Sequence, residues 1–373
     1  MKMAILFVNT ESIIQRKGKE MNSFKEFLKK KDIEFSANRY FIEALSAMAQ
    51  GLFASLLMGT ILSTLGQQFH IELLEQIGGF ASSVKGPAMA AAIGVTLHAP
   101  NLVLFSLLAV GFSADALGGA GGPLAVYIVA VVASEFGKLV SKETKLDILV
   151  TPFVTIMIGC LLSIACAPAI GAAASSLGQA IMWATELQPF LMGIIVSVLV
   201  GIFLTLPISS AAICAALNLT GLAGGAALAG CCAQMIGFAV QSFKVNGWGG
   251  LVGQGIGTSM LQMGNIVRKP AIWIPTIAAS AISGPLATCL FHLTMDGPAV
   301  SSGMGTCGLV GQIGVYTGWL SNIAAGTMDQ ITAFNWISLI TVSFILPAVL
   351  TLLFSWLCKK AGLYKDEDLK LDI

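Results

Sequence analysis

The longest apolar stretch of the chain runs from Leu187 to Phe243, 57 residues without an Asp, Glu, Lys, Arg or His. One membrane crossing takes about 20 predominantly apolar residues, so this stretch holds at least two. Shorter charge-free runs cover 148–185 (38 residues), 297–328 (32), 330–358 (29) and 86–114 (29, with His98 inside it). The long run is interrupted by Pro207, Ser209, Ser210, Asn218, Thr220, Gln234 and Gln241, and is rich in Gly and Ala from Gly221 to Gly230. Polar, helix-breaking sequence persists at membrane depth only where protein buries it or a watery cavity receives its backbone groups. The pattern predicts an integral membrane protein with a solute site inside the bilayer.

Spanning segments are expected at 41–66, 78–98, 100–117, 122–141, 148–168, 188–206, 210–232, 233–266 in broken form, 271–293 and 334–358. This is an all-α fold of about ten transmembrane helices, some broken, with re-entrant glycine-rich hairpins. Residues 68–84 and 167–187 read as interfacial, and Gly297–Trp319 as a re-entrant loop. Four basic clusters, in the amino-terminal segment and at Lys138/Lys142/Lys145, Arg268/Lys269 and Lys359/Lys360, fall on one side of this layout. Short basic loops stay in the cytoplasm, so both termini are expected there. Eight crossings with re-entrant hairpins satisfy the same rule. The organisation is then a basic segment 1–40, a transmembrane domain 41–358 and a cytoplasmic tail 359–373.

Residues 1–40 carry nine Lys/Arg against five acids, and Met3–Val8 is too short for a signal-peptide core. Met21 competes with Met1 as the natural start, because Ser23-Phe-Lys-Glu26 reads as a capping box. The helix it opens either lies on an anionic membrane surface, through Phe24, Phe27 and Leu28, or is a solvated charged tail.

Composition narrows the chemistry. Charged residues are 10% and hydrophobic ones 56%, and the net charge of +1 gives no case for nucleic acid. Glycine, at 41 of 373 residues, suits close helix packing. The eight cysteines sit in apolar segments without CxxC or Cys/His ligand spacing, so neither disulfide nor metal is expected. Gly303-Met-Gly-Thr-Cys-Gly308 matches G-x-G-x-x-G without the strand or acidic residue a dinucleotide site needs. The Asn218-Leu-Thr220 sequon lies in an apolar run and is discounted. No catalytic motif and no cofactor site is expected.

Uncharged hydrogen-bonding groups at membrane depth remain. Ser209 and Ser210 follow a helix-breaking Pro207; Asn246 and Trp248 sit on glycine-rich backbone; Gln254, Thr258, Gln262 and Asn265 follow, the last three on one helix face. Thr306 and Gln312 lie in a second glycine loop, where Gly308-Leu-Val-Gly311-Gln312 echoes Gly250-Leu-Val-Gly253-Gln254. Paired glycine-interrupted segments point to a transporter's site, and such groups suit a neutral sugar or polyol. Interhelical hydrogen bonding is the competing use. Intramembrane ionisable groups are functional candidates by default: Lys85, His98 and Asp115 share one expected hairpin as coupling candidates. Lys244 either meets an anionic solute or snorkels to the interface.

The blocks Lys85-Gly-Pro87, Leu206-Pro-Ile-Ser-Ser-Ala-Ala-Ile213, Gly230-Cys-Cys-Ala-Gln-Met-Ile-Gly-Phe-Ala-Val240, Gly257-Thr-Ser-Met-Leu-Gln262 and Gly303–Gln312 resemble EIIC-like permeases of the bacterial sugar phosphotransferase system, in the toxin-regulator (perfringolysin-regulator-like) branch. The resemblance covers about residues 22–360. It implies a sugar-translocating unit of the bacterial inner membrane, commonly a homodimer, working with soluble phosphoryl-carrying partners. Only 15 residues follow Cys358, so an attached phosphoryl-carrying domain is not expected. A membrane sensor without net transport and a carrier of a small organic anion are the alternatives.

Overall fold

The computed structural model describes residues 25–371, and every regular element within them is helical; Gly221 and Met295 form an isolated bridge. Met3–Val8, Met21 and the Ser23 cap lie outside the described residues. Residues 25–30 are helical, with Phe27 and Leu28 half-buried and Lys25, Lys29 and Lys30 exposed.

In chain order the principal helices are α1 (Arg39–Gln67), α2 (Glu72–Ser83), α3 (Lys85–Thr96), α4 (Asn101–Gly118), α5 (Gly122–Val140), α6 (Asp147–Thr185) and α7 (Pro189–Thr205). They continue as α8 (Ser210–Ala216), α9 (Gly221–Gln241), α10 (Phe243–Val252), α11 (Pro270–Leu290), α12 (Val310–Ala324) and α13 (Ala333–Lys360). Among the described residues six stretches are long and apolar enough to cross a membrane, with α7 a shorter apolar helix. One of the six, Asn101–Val140, is an antiparallel hairpin: it turns at Gly119–Gly121, and Gly137 of α5 lies against Val103 of α4.

Small residues let these helices touch. A Cβ on Gly111 of α4 would stand 2.4 Å from the Gly86 carbonyl oxygen of α3, and the reverse holds. Helix α9 is the centre of the molecule, 83% buried over its apolar window. Its Gly, Ala and Cys positions admit neighbours on all sides, and a Cβ at Gly230 would lie 1.8 Å from the Ser197 carbonyl of α7. Helices α6 and α13 are the opposite case, with only 22% and 33% of their windows buried. Phe153, Leu161 and Ile164 on α6 and Val349, Leu353 and Trp356 on α13 face outward. A contiguous apolar belt of this kind suits hydrocarbon, not water.

Four expected segments are corrected. Residues 78–98 are not one span but α2 and α3, because Val84 leaves the helical region ahead of Lys85-Gly-Pro87; Pro87 donates no hydrogen bond to a continuing helix. Helix α2 instead folds back on α1, with Gly59 and Gly78 in backbone contact. Residues 210–232 break at Asn218, whose φ is 46°, so α8 is a short piece and α9 begins at Gly221. Residues 148–168 and 167–187 form the single 39-residue α6, about 58 Å at 1.5 Å per residue; Pro168 does not stop it. The break expected in 233–266 begins only after Gln241.

Charge sorts to one end. Lys31 pairs with Glu143, Arg39 with Asp32, and the buried Lys138 donates to the carbonyls of Asp32 and Leu97 at 2.9 and 3.0 Å. Residues 39–43 pack against Met263–Arg268, and Lys244 and Lys359 share Asp366, so these basic groups collect at the end where α1 starts and α13 stops. Glu72, Glu75, Glu186 and Asp296 follow elements that run away from it.

Candidate solute site

Asn246, Gln254, Gln262 and Asn265 do come together, at the basic end of the molecule. Gly247, with φ 57°, breaks α10, and the chain then winds through a π-turn at Gly253–Gly257 and a 3-10 turn at Ser259–Gln262. That winding aims the amides at one another. Gln262 Nε2 donates to Gln254 Oε1 at 2.9 Å, Asn265 Nδ2 donates to Gln262 Oε1 at 2.9 Å, and Gln254 Nε2 donates to Ser242 Oγ at 2.8 Å. The remaining valences are taken up by the chain's own segment 363–371. Asn246 Nδ2 and Gln262 Nε2 donate to the Leu369 carbonyl (2.9 and 3.0 Å), and Asn265 Nδ2 to that of Lys370 (2.8 Å). The Leu371 N–H donates back to Asn246 Oδ1 at 2.8 Å.

Other expected site residues lie elsewhere. Ser209, Ser210 and Thr258 line a small apolar cavity of about 70 Å³ with Phe53, Met260 and Met304. Thr306 is buried and donates to the Gly255 carbonyl, while Gln312 Nε2 donates to Ser343 Oγ at 3.0 Å. Trp248 is exposed, edge-on to Phe243. Of the echoed glycines Gly308 has positive φ, 52°; Gly253 has room for a Cβ, with Leu261 at 3.6 Å, whereas a Cβ on Gly311 would lie 2.3 Å from the Gly305 carbonyl oxygen.

The coupling candidates separate. Lys85 Nζ and Asp115 Oδ2 stand 3.5 Å apart between α3 and α4, and Asp115 Oδ1 is buried without a hydrogen-bond partner. His98 belongs to the other end of α3, exposed in a left-handed turn with Nδ1 2.8 Å from Asp32 Oδ2. Lys244 is largely exposed, 3.6 Å from Asp366 Oδ2. The Lys359 ammonium beside Asp366 holds that carboxyl below its usual range, and burial pushes the Tyr364 phenol up to about 12.

A polar cavity of about 600 Å³ lies at the end of the molecule away from the basic groups. Thr60, Ser63, Thr64 and Gln67 of α1 line one wall, and Asn218, Thr317 and Asp296 stand among the others. The α1 residues are spaced i, i+3, i+4 and i+7, one helix face by the 3.6-residue period. In the sequence the stripe shows as a polar period within an otherwise apolar span. Among the described residues Asp296 is the only ionisable side chain lining the cavity; its Oδ2 accepts from Thr294 Oγ1 (2.7 Å) and Asn322 Nδ2 (2.9 Å). Hydroxyls and amides donate and accept alike, so this lining fits a solute with many hydroxyl groups. The volume is in the range of small-molecule sites, roughly 300–1,000 Å³.

Residues 42–371 match the family described as Phosphotransferase system, EIIC. The chain belongs to that family. An EIIC protein is the membrane permease component of a sugar phosphotransferase system, and acts with a sugar and with the other components of that system. The all-helical membrane fold of this EIIC protein agrees. No curated protein and no solved structure matches the chain. The matched range takes in the segment 363–371 that fills the amide cluster, and the match gives the sensor reading no separate support.

Proposed function

We propose that this EIIC protein translocates a neutral sugar or polyol across the bacterial cytoplasmic membrane, and that the 600 Å³ cavity between α1, α2 and α12 receives the solute from the outside. The observation that carries the reading is the cavity's lining: hydroxyl and amide groups from several elements, with a single carboxylate and no basic side chain. Among the described residues an anionic solute would meet the Asp296 carboxylate and no lining Lys or Arg, which speaks against the organic-acid alternative. Orientation follows from charge. The basic end belongs in the cytoplasm by the positive-inside rule, which puts both ends of the described chain there and the cavity mouth on the opposite side.

Purified protein in detergent is to be screened by thermal shift against sugars, polyols and small organic acids. The ligands found are then followed in proteoliposome exchange, with and without soluble phosphotransferase components. A neutral polyhydroxylated ligand that stabilises the protein and is exchanged across the membrane is the expected result. A preference for organic anions, or binding without any exchange or accumulation, would overturn it.

A further inference from the structure

The amide cluster reads backbone groups where the 3-10 turn at Asp366–Leu369 opens into extended chain at Lys370. Asn246 makes a paired contact with segment 363–371, donating to the Leu369 carbonyl and accepting from the Leu371 N–H, while Gln262 and Asn265 take the carbonyls of Leu369 and Lys370. Side chains anchor the segment further. Leu369 is 0% and Tyr364 2% exposed, Asp366 sits between Lys244 and Lys359, and Gln241 Nε2 donates to Tyr364 Oη at 3.0 Å.

The position of this segment relative to the cavities is what gives it a function. Met304 lines both the 600 Å³ polar cavity and the 70 Å³ apolar one, and Phe53 lines that one and a further cavity of about 200 Å³. Gln50 and Leu261 line the 200 Å³ cavity and a last small one of about 20 Å³, whose wall includes Lys370 and Leu371. Neighbouring cavities thus share lining side chains in sequence from the outer mouth to the segment, with Met304, Phe53, and Gln50 and Leu261 standing between them. The narrow stretch is flanked by π-turns at Phe53–Leu57 and Gly253–Gly257, and a Cβ on Gly257 would meet the Phe53 ring at 2.3 Å. Such π-turns recur at functional sites in helices.

We propose that segment 363–371 is a latch seated in a peptide-backbone site at the cytoplasmic end of the solute path. On its departure Asn246 loses its partners, and Gln262 and Asn265 keep only the bonds of the cluster, so donors and acceptors open to a polar occupant. The hydroxyls of the sugar can take the places of the Leu369 and Lys370 carbonyls and the Leu371 N–H, so solute and latch compete for one set of amides. This inference rests on the transport reading above.

Hydrogen–deuterium exchange on the full chain in proteoliposomes tests it, using the neutral sugar or polyol that gives the largest thermal shift. With that solute saturating on both sides, exchange at Lys370 and Leu371 is expected to rise at least about tenfold. Leu369→Ser, which loosens the segment without touching the amides, should raise both this exchange and the rate of solute exchange several-fold. Asp366→Asn should do the same more weakly. Unchanged protection of Leu371 while solute exchange proceeds would overturn the latch, as would a Leu369→Ser protein whose freed segment leaves solute exchange at the parent rate. Absence of any solute binding in parent and variants alike would instead overturn the transport reading, and the latch with it.

Discussion

Replacing Thr64 and Thr317 by valine removes two hydroxyls from opposite walls of the outer cavity while keeping its volume and the β-branched side chains. Thr64 lies on α1 and Thr317 on α12, and the Thr317 hydroxyl donates within its own helix to the Gly314 carbonyl at 2.8 Å, leaving its oxygen free to accept from a ligand. A neutral hydrogen bond contributes about 1 kcal/mol net, and 1.4 kcal/mol is tenfold in affinity. Each single variant should therefore bind the solute roughly fivefold more weakly. Positions on separate helices without a shared partner act nearly additively, so the double variant should lose about 2 kcal/mol, roughly thirtyfold. The assay is calorimetric titration of the purified protein in detergent, with the ligand-free melting temperature as the control for packing. Deoxy analogues of the solute add a second check. The analogue lacking the hydroxyl that meets Thr64 should bind the parent weakly and Thr64→Val no more weakly. A double variant that keeps its melting temperature and binds within about threefold of the parent would refute the placement of the solute.

Further expectations follow from the same geometry. Lys244→Gln should change solute affinity by less than about tenfold, because Lys244 lies at the opposite end from the outer cavity and its partner Asp366 keeps Lys359; titration at two ionic strengths checks this. Gly230→Val should abolish the folded protein, since its Cβ would lie 1.8 Å from the Ser197 carbonyl, and Gly311→Val should cost stability against the Gly305 carbonyl. Gly253→Val, with Leu261 at 3.6 Å, should still insert and elute in size-exclusion chromatography as the parent does. Lys138→Met should destabilise by about 2–3 kcal/mol, because it removes the ammonium paired with the mostly buried Glu135 carboxylate, leaving it only the Arg39 charge and the Tyr40 hydroxyl; Lys138 Nζ and Glu135 Oε2 are 2.9 Å apart. Adding Glu135→Gln to Lys138→Met should recover much of that loss in denaturant titration.

Much of the molecule was legible in one dimension. The charge-free runs, the basic clusters and the glycine-interrupted segments after Gln241 depend only on local composition, and the helical membrane fold they imply is present, with the spans expected at 78–98, 148–168 and 210–232 split or merged. Asn246, Gln254, Gln262 and Asn265 stand out in the sequence as polar groups on broken backbone, and they converge, but on one another and on segment 363–371. Their partner was not foreseeable from spacing, because Leu369 is 107 residues from Gln262 along the chain. The stripe Thr60, Ser63, Thr64 and Gln67 was visible as a period, yet nothing in the period says whether such a face meets a neighbouring helix or an open cavity.

The sequence by itself determined that this is a helical membrane protein, where its polar interruptions fall and which end carries the positive charge. Those properties are sums over neighbouring residues and survive without knowledge of packing. Tertiary structure alone decided that α6 runs unbroken past Pro168, that His98 is parted from Lys85 and Asp115, and which polar groups face space instead of each other. The physical reason is that a buried amide or hydroxyl must find a partner, and the choice among protein, backbone and solute is made by residues brought close only when distant helices pack.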